Sequence, residues 1–191
     1  MLRAYVFAAL CAACANAGKP GSGGDPVDAP DVAIDGKPAV DARPIDGTAD
    51  ACMTTATCAG AMNLGSISGD TGSQKVSASG YQGGWFSVRV TEDDSSVFGT
   101  KLSMTAKLTS PAASNYDVFV YFNSGNDAIE CASVSASGTS TAVLDSARIS
   151  WGEGSVSNGN DDGRTVSVEV RPISGGCSAG APWALELQGD T

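Results

Sequence analysis

The chain has 191 residues, of which 21 are acidic, 11 are basic and none is histidine, giving a formal net charge of −10 at pH 7. The lack of histidine excludes Ser-His-Asp and Cys-His catalysis and metal sites that need imidazole ligands. Because an acidic surface repels polyanions, we expect neither nucleic acid nor an anionic lipid surface as a partner.

The N-terminal residues have the pattern of an export signal. Arg3 precedes an apolar run over residues 4–13, and Cys14 follows two alanines. This layout is typical of a secretory signal peptide, and the run is too short to cross a bilayer, which needs about 20 apolar residues. The segment resembles the lipobox of bacterial lipoproteins, which implies a signal peptide over 1–13 and a membrane anchor through lipidated Cys14. The alternative is an ordinary signal peptide cleaved near Ala13 or Ala17, which leaves a soluble secreted protein.

Residues 14–51 differ in composition from the rest of the chain. They contain seven aspartates, several prolines and no aromatic residue. Such a segment cannot bury enough apolar surface to offset its ordering entropy, so we predict a disordered linker that holds the following domain away from a membrane. Binding of calcium or a cationic partner by the aspartates is the alternative interpretation.

Residues 52–191 are predicted to form one all-β domain, since apolar and polar side chains alternate with period two. The clear strand candidates are 85–90, 101–108, 116–122, 164–171 and 183–187, and weaker ones are 63–68, 74–79, 129–134, 140–144 and 147–151. Eight to ten short strands separated by Gly, Asn, Asp and Pro turns favour a single jelly-roll-like antiparallel β-sandwich. Trp85, Trp151 and Trp183 are interpreted as anchors of the core or its edge, with a stacked ligand platform as the alternative.

The order of several segments resembles the bacterial pre-peptidase C-terminal (PPC) domain. The resemblance covers most of residues 60–189 and rests on Asn63–Asp70, Gly84–Val88, Tyr116–Tyr121 with Asp117, Val166–Val170 and Trp183–Leu187. It implies a small jelly-roll sandwich of the kind attached to secreted enzymes, and the family has no catalytic residues to carry over. The 191 residues contain no peptidase domain, so the usual context of the family is missing and we do not expect an enzyme-accessory role.

Four cysteines lie in the predicted domain: Cys52, Cys58, Cys131 and Cys177. An even number in an exported chain indicates two disulfides, for which three pairings exist. Proximity in sequence favours Cys52–Cys58 and Cys131–Cys177. A four-cysteine zinc site is the alternative, which the absence of a Cys-x-x-Cys unit disfavours.

One segment resembles a calcium-binding loop, with Asn158, Asn160 and Asp162 as its candidate ligands and Glu169 at the closing position. A strand starting at Arg164 places Glu169 roughly 20 Å away, too far to complete the calcium shell. The alternative interpretation is a hairpin loop made of favoured turn residues.

Two other patterns carry no predicted chemistry. Gly176–Gly180 fits Gly-x-Ser-x-Gly, but that motif needs a histidine and a following helix. The acidic residues Glu92–Asp94 are interpreted as a solvated turn after a strand.

These patterns predict a non-catalytic exported lipoprotein that displays a disulfide-braced β-sandwich for binding or adhesion. We expect no cofactor, and an envelope protein or a glycan as partner. The expected location is the cell envelope, at the outer membrane or cell surface, with free secretion as the alternative. Two other functions remain open. One is a carbohydrate-binding module with exposed aromatic residues, and the other is a small hydrolase with two carboxylates about 5–9.5 Å apart.

Overall fold

A computed structural model describes residues 52, 56–94, 99–152 and 161–191. The predictions for Cys14, for the segments 1–13 and 14–51, and for Asn158 and Asn160 lie outside these residues. After a short 3₁₀ helix at Cys58–Gly60, nine strands follow in the described ranges: β1 Met62–Ser68, β2 Lys75–Gly80, β3 Gly84–Thr91, β4 Leu102–Thr109, β5 Asn115–Tyr121, β6 Val134–Gly138, β7 Leu144–Trp151, β8 Arg164–Ser174 and β9 Trp183–Gly189.

The strands form two sheets, which confirms the predicted all-β sandwich. The five-stranded sheet has the order β1-β3-β8-β5-β6, and the four-stranded sheet has the order β2-β9-β4-β7. All pairs are antiparallel except β1 with β3, which run parallel. The predicted antiparallel sandwich is thus confirmed in six of the seven strand pairs of the described residues, and the parallel pair at one edge was not predicted. The reason is topological: β2 crosses to the other sheet, so β3 returns beside β1 in the same direction.

The core follows from the alternation in the sequence. Successive side chains of a strand point to opposite faces, so every second residue of β3, β4, β5, β8 and β9 enters the space between the sheets. A fully buried aliphatic side chain contributes about 1.5–3 kcal/mol relative to an exposed one. The described aliphatic and thioether side chains with no more than 1% exposure are Ile67, Val88, Val90, Leu102, Met104, Ala106, Leu108, Val118, Val120, Val166, Val168, Val170, Leu185 and Leu187.

Two weak strand predictions are wrong except at their last residues, where β6 begins at Val134 and β7 begins at Leu144. Side-chain hydrogen bonds explain both differences. In place of a strand over 129–134, the Glu130 carboxylate accepts hydrogen bonds from three successive backbone N–H groups, those of residues 131–133. In place of a strand over 140–144, Asp145 Oδ1 accepts hydrogen bonds from the Ser140 N–H and hydroxyl. Carboxylates that satisfy nearby backbone donors favour turns over sheet pairing.

The predicted disulfide pairing is also wrong, although all four cysteines are bridged as expected. Cys52 pairs with Cys177, with Cα atoms 5.5 Å apart, and Cys58 pairs with Cys131, with Cα atoms 5.9 Å apart. The fold decides the pairing, because Cys58 lies against the loop that carries Cys131, with its Sγ 3.6 Å from the carbonyl oxygen of Glu130. Closing long loops in this way stabilises more than closing a six-residue loop would.

The edge strand β1 is irregular. Its register with β3 shifts between Asn63 and Ser66, and Gly65 has a φ of 98°. The Gly65 N–H donates to Asn63 Oδ1 at 2.7 Å. A bulge of this kind bends an edge strand and interrupts its row of free backbone groups. Within the described ranges, no helix is long and apolar enough to cross a membrane.

Candidate ligand-binding groove

The three tryptophans occupy different environments. Trp183 and Trp151 are buried, with exposures of 2% and 8%, whereas Trp85 is half-buried. The two buried indoles donate to backbone carbonyl oxygens, Trp183 Nε1 to Gln82 at 3.0 Å and Trp151 Nε1 to Asp162 at 2.8 Å. Trp151 and Trp183 are therefore core anchors as predicted, and Trp85 alone of the three is partly accessible.

A groove lies between the beginning of β1 and the end of β2, the edge strands of the two sheets. Its volume is about 430 Å³, within the range of about 300–1,000 Å³ that is usual for small-molecule sites. It is lined by Ala56, Gly60, Met62, Leu64, Ser77, Ala78, Ser79, Gly80, Tyr81, Gln82, Gly83, Gly84, Trp85, Phe86 and Trp183.

The aromatic rings of the groove are supported from behind. Trp85 packs against Tyr121 with ring centroids 4.9 Å apart, and Phe86 meets Trp183 edge-on at 5.7 Å. Tyr81 is 44% exposed and lies in the loop that joins β2 to β3. Rings that already pack against other rings lose little freedom when a ligand covers their open faces.

The loop Tyr81–Gly83 is held by buried groups at each of its residues. Tyr116 Oη donates to the carbonyl oxygen of Tyr81 at 2.7 Å, and Trp183 Nε1 donates to that of Gln82. The Gly83 N–H donates to the carbonyl oxygen of Cys52 at 2.8 Å. A Cβ atom on Gly83 would lie 2.8 Å from the Val170 carbonyl oxygen, so only glycine fits there. The groove is therefore rimmed by a preorganised loop.

A polar network lies beneath Trp85 on the outer face of the five-stranded sheet. The Glu169 carboxylate accepts hydrogen bonds from Tyr121 Oη at 2.7 Å and from Arg171 Nη2 at 2.7 Å and Nε at 3.2 Å. Burial, followed by the hydrogen bond from Tyr121 to Glu169, raises the pKa of Tyr121 to about 12. The hydrogen bond to Glu169 also raises the pKa of Arg171, whose guanidinium lies 4.2 Å from the Phe119 ring centroid.

Both carboxylate oxygens of Glu169 accept hydrogen bonds within that network, so they are not directed at the candidate calcium loop. The Glu169 carboxylate binds Tyr121 and Arg171, in agreement with the expectation that it does not close a loop at Asp162. Asp162 itself accepts from Arg164, and its N–H donates to Glu92 Oε2 at 2.8 Å. Among the described residues, no group of three or more Asp, Glu, Cys or His side chains is placed to hold a metal ion.

Two further acidic side chains are buried near each other. Asp117 on β5 and Asp145 on β7 are 7% and 2% exposed. Burial, and then the negative charge of Asp145, raise the pKa of Asp117. Asp145 Oδ1 binds Ser140, whereas its Oδ2 has no hydrogen-bond partner among the described residues. Neither carboxylate lines the groove.

The acidic turn after β3 is structural in the described part of the chain. The Asp70 carboxylate accepts the backbone N–H groups of Asp93 and Asp94 at 2.9–3.1 Å, and it also accepts the Ser68 hydroxyl at 2.9 Å. These bonds hold the turn at the end of β3, where the sequence predicted a solvated turn; Asp93 is exposed, and Glu92 and Asp94 are half-buried. Cys177 of the Gly-x-Ser-x-Gly sequence is bridged to Cys52.

Sequence reasoning identified Trp85 as a candidate ligand contact but not Tyr81. The available signal was an aromatic residue placed between Gly80 and the pair Gly83–Gly84. Glycine-rich turns are mostly solvent-exposed, so an aromatic side chain within one is a candidate for ligand contact.

Comparison with known proteins gives little further information. No family model matches the chain, and no curated protein matches it. Among solved structures, it is similar to the pre-peptidase C-terminal domain of collagenase from Bacillus anthracis. The TM-score is 0.38 and the identity 8%, over 66% of this chain and 95% of that one. This likeness transfers no ligand, activity or residue role.

Proposed function

We propose that this chain is a non-catalytic, exported lipoprotein that displays a disulfide-braced β-sandwich at the cell envelope and binds its partner through the groove between β1 and β2. The observation that carries the binding role is the rigid aromatic rim of that groove, in which Tyr81 is exposed while its backbone is fixed by Tyr116. Exposed aromatic side chains on a fixed backbone lose little entropy on binding.

Export is supported by the cysteines as well as by the N-terminal sequence. Both disulfides join segments that are far apart in the chain, with sequence separations of 125 and 73. Structural disulfides persist in oxidising compartments and are rare in the cytosol. The signal-like residues 1–13 and the lipobox-like Cys14 then account for how the chain reaches and stays at the envelope.

Binding is favoured over catalysis by the residues around the groove. All of its lining residues belong to the described part of the chain, and none is acidic, basic or a cysteine. Ser77, Ser79 and Tyr81 could act as nucleophiles only with an adjacent base to activate them, and the lining holds no such base. The hydrolase alternative needs two carboxylates in one cleft, whereas Asp117 and Asp145 are buried away from this groove.

Lipid anchoring is tested by intact-mass spectrometry of the protein recovered from the membrane fraction of the cells that produce it. We expect a chain that starts at Cys14, carries acyl mass and gains about 4 Da on reduction of two disulfides. A chain cleaved near Ala17, without acyl mass and recovered from the medium, would contradict the anchor and leave a freely diffusing binder.

Display is tested by protease treatment of intact cells. Each basic residue of the linker (Lys19, Lys37 and Arg43) precedes a proline, which blocks trypsin, so an aspartate-specific protease is the suitable reagent. We expect release of a folded fragment that contains residues 52–191. Release only after the envelope is disrupted would place the domain inside the envelope and contradict surface display.

A further inference from the structure

We propose that the groove binds a neutral glycan chain, with the Tyr81 ring stacked on a sugar face. This inference rests on the proposed binding function and names the ligand class of the same groove. It is carried by three properties of the described residues: the charge of the lining, the placement of aromatic and hydroxyl side chains, and the irregular edge of β1.

The lining excludes strongly charged ligands. The groove has 15 lining residues and none of them is charged, in a chain with a net charge of −10. A charged ligand group would lose water in such a groove without gaining a countercharge, which is costly. Neutral sugars have no such group, and their hydroxyls need only neutral donors and acceptors.

The side chains that are present suit a sugar. The C–H face of a pyranose ring is apolar and packs on the face of an aromatic ring, while its rim carries hydroxyl groups. Tyr81 provides an exposed ring, and Gln82 lies next to it with a neutral amide. The side chains of Ser77 and Ser79 alternate with that of Ala78 along β2, so their hydroxyls face the adjoining hollow on the other side of that strand. The fixed loop Tyr81–Gly83 keeps the Tyr81 backbone in one place before the ligand arrives.

An extended peptide fits the groove less well. A peptide that adds to a sheet needs a regular row of free backbone groups on the edge strand. At β1 this row is broken by the bulge between Asn63 and Ser66, and the Gly65 N–H is already bonded to Asn63 Oδ1. Strand addition at β1 is therefore disfavoured, and the peptide probe described below tests addition at β2, whose register with β9 is unbroken.

A second hollow suggests that the ligand is longer than one sugar. It has a volume of about 560 Å³ and shares Ser77, Ala78 and Ser79 with the groove. Its other lining residues are Lys107, Thr109, Leu144, Ala184, Leu185 and Glu186. A chain-like ligand that leaves the groove across β2 would enter this hollow, so affinity should rise with chain length.

The test is calorimetric titration of the full chain with neutral oligosaccharides. The probes are cellohexaose, laminarihexaose, mannohexaose and chitohexaose, each with its disaccharide, and hexagalacturonate serves as the charged counterpart. Tyr81→Ala removes the exposed ring and Tyr81→Phe keeps it. Ile173→Ala is the matched control, because Ile173 is 43% exposed and lies outside the groove.

We expect at least one neutral hexasaccharide to bind more tightly than its disaccharide and than hexagalacturonate. Tyr81→Ala should weaken that binding roughly three- to tenfold, while Tyr81→Phe and Ile173→Ala change it by less than about twofold. Melting temperatures check that each variant remains folded. We expect little change for the Tyr81 variants, because substitutions of exposed side chains rarely alter stability much.

The glycan inference is overturned if no neutral hexasaccharide binds, or if Tyr81→Ala binds as well as the wild type. A neutral extended peptide, acetyl-Thr-Val-Thr-Val-Thr-amide, separates this failure from failure of the proposed function. Peptide binding that depends on Tyr81, without sugar binding, overturns the glycan and retains the groove as a binding site. Binding of neither probe overturns the glycan and removes the support for the groove.

Discussion

The hydroxyl of Tyr116, on β5, lies 2.7 Å from the backbone carbonyl oxygen of Tyr81, in the loop between β2 and β3. Tyr116 is 1% exposed and Tyr81 is 44% exposed, so one bond connects the core of the sandwich to the most accessible ring of the groove. A buried donor of this kind holds the loop in place, because the Tyr116 hydroxyl has little access to water that could replace the Tyr81 carbonyl oxygen.

Removing this donor tests whether the loop is preorganised. Tyr116→Phe leaves the Tyr81 carbonyl oxygen without its partner and should lower the free energy of unfolding by about 1–3 kcal/mol. It should also weaken ligand binding, although Tyr116 does not line the groove. Urea unfolding and titration measure the two effects. Unchanged stability together with unchanged affinity would show that the bond does not fix the loop.

The disulfide pairing is checked by fragment mapping without reduction. Cyanogen bromide cleaves after Met53 and so separates Cys52 from Cys58, which no Lys or Arg does, and trypsin then cleaves after Arg148 and separates Cys131 from Cys177. We expect the Cys52 fragment to be linked to the fragment with Cys177, and the Cys58 fragment to the one with Cys131. The double variant Cys52→Ala, Cys177→Ala should lose about 2–5 kcal/mol in unfolding free energy. A Cys52–Cys58 link would contradict the fold at the start of the domain.

Alkaline titration tests the Tyr121–Glu169 contact. The folded-state pKa of Tyr121, about 12, exceeds its ordinary value of 10.0. Stability from this contact is therefore fully present below pH 10.0 and is lost as the pH rises through about 12. Ultraviolet absorbance should show tyrosinate forming late, and Tyr121→Phe should remove the step at about pH 12. A wild-type chain that completes its titration near pH 10 would contradict the buried contact.

The free energy of unfolding should depend on the ionisation of Asp117 in the opposite direction from most carboxylates. Its pKa is raised in the folded state above 3.8, through burial and the charge of Asp145. The contribution of Asp117 to the free energy of unfolding is thus fully present below pH 3.8 and is lost as the pH rises through the folded-state pKa. Asp117→Asn should therefore raise the free energy of unfolding at pH 7, with a smaller gain in acid, as measured by urea unfolding.

Asp127 is the matched control for that experiment. Burial acts to raise its pKa, but the hydrogen bonds from Thr165 and the charge of Arg89 outweigh burial and lower the pKa. Its contribution is present above the ordinary value of 3.8 and is lost as the pH falls through the lower folded-state pKa. Asp127→Asn should therefore lower stability at pH 7. The same sign for both variants would contradict the assignment of Asp117.

The strands were predictable where one face is buried. Alternation over Leu102–Leu108 and Thr165–Arg171 follows from a sheet with one face on the core, and the structure places strands there. The segments 129–134 and 140–144 were not predictable, because the Glu130 and Asp145 carboxylates compete for the backbone N–H groups. Residue composition alone does not reveal whether a backbone N–H donates to a nearby carboxylate or to a neighbouring strand.

The groove was less predictable than the strands. It exists because β1 pairs in parallel with β3 while β2 joins the other sheet, so two edges meet beside the loop of Tyr81. Parallel pairing is a long-range property that periodicity does not encode. The predicted disulfide pairing was wrong for the same reason. Proximity in sequence favoured Cys52 with Cys58, whereas the fold brings Cys52 to Cys177.

The bond between Cys52 and Cys177 also decides how this domain responds to tension. A pull transmitted along the chain from residues before Cys52 meets a covalent link to the loop ahead of β9 before it reaches β1. That pull is then shared with the rim of the groove, since the Cys52 carbonyl oxygen binds the Gly83 N–H. The edge strand β1, which pairs within its sheet only with β3, is spared from peeling. In the proposed role as a cell-anchored binder, tension along the linker would therefore reach the covalent Cys52–Cys177 bond before it reached β1.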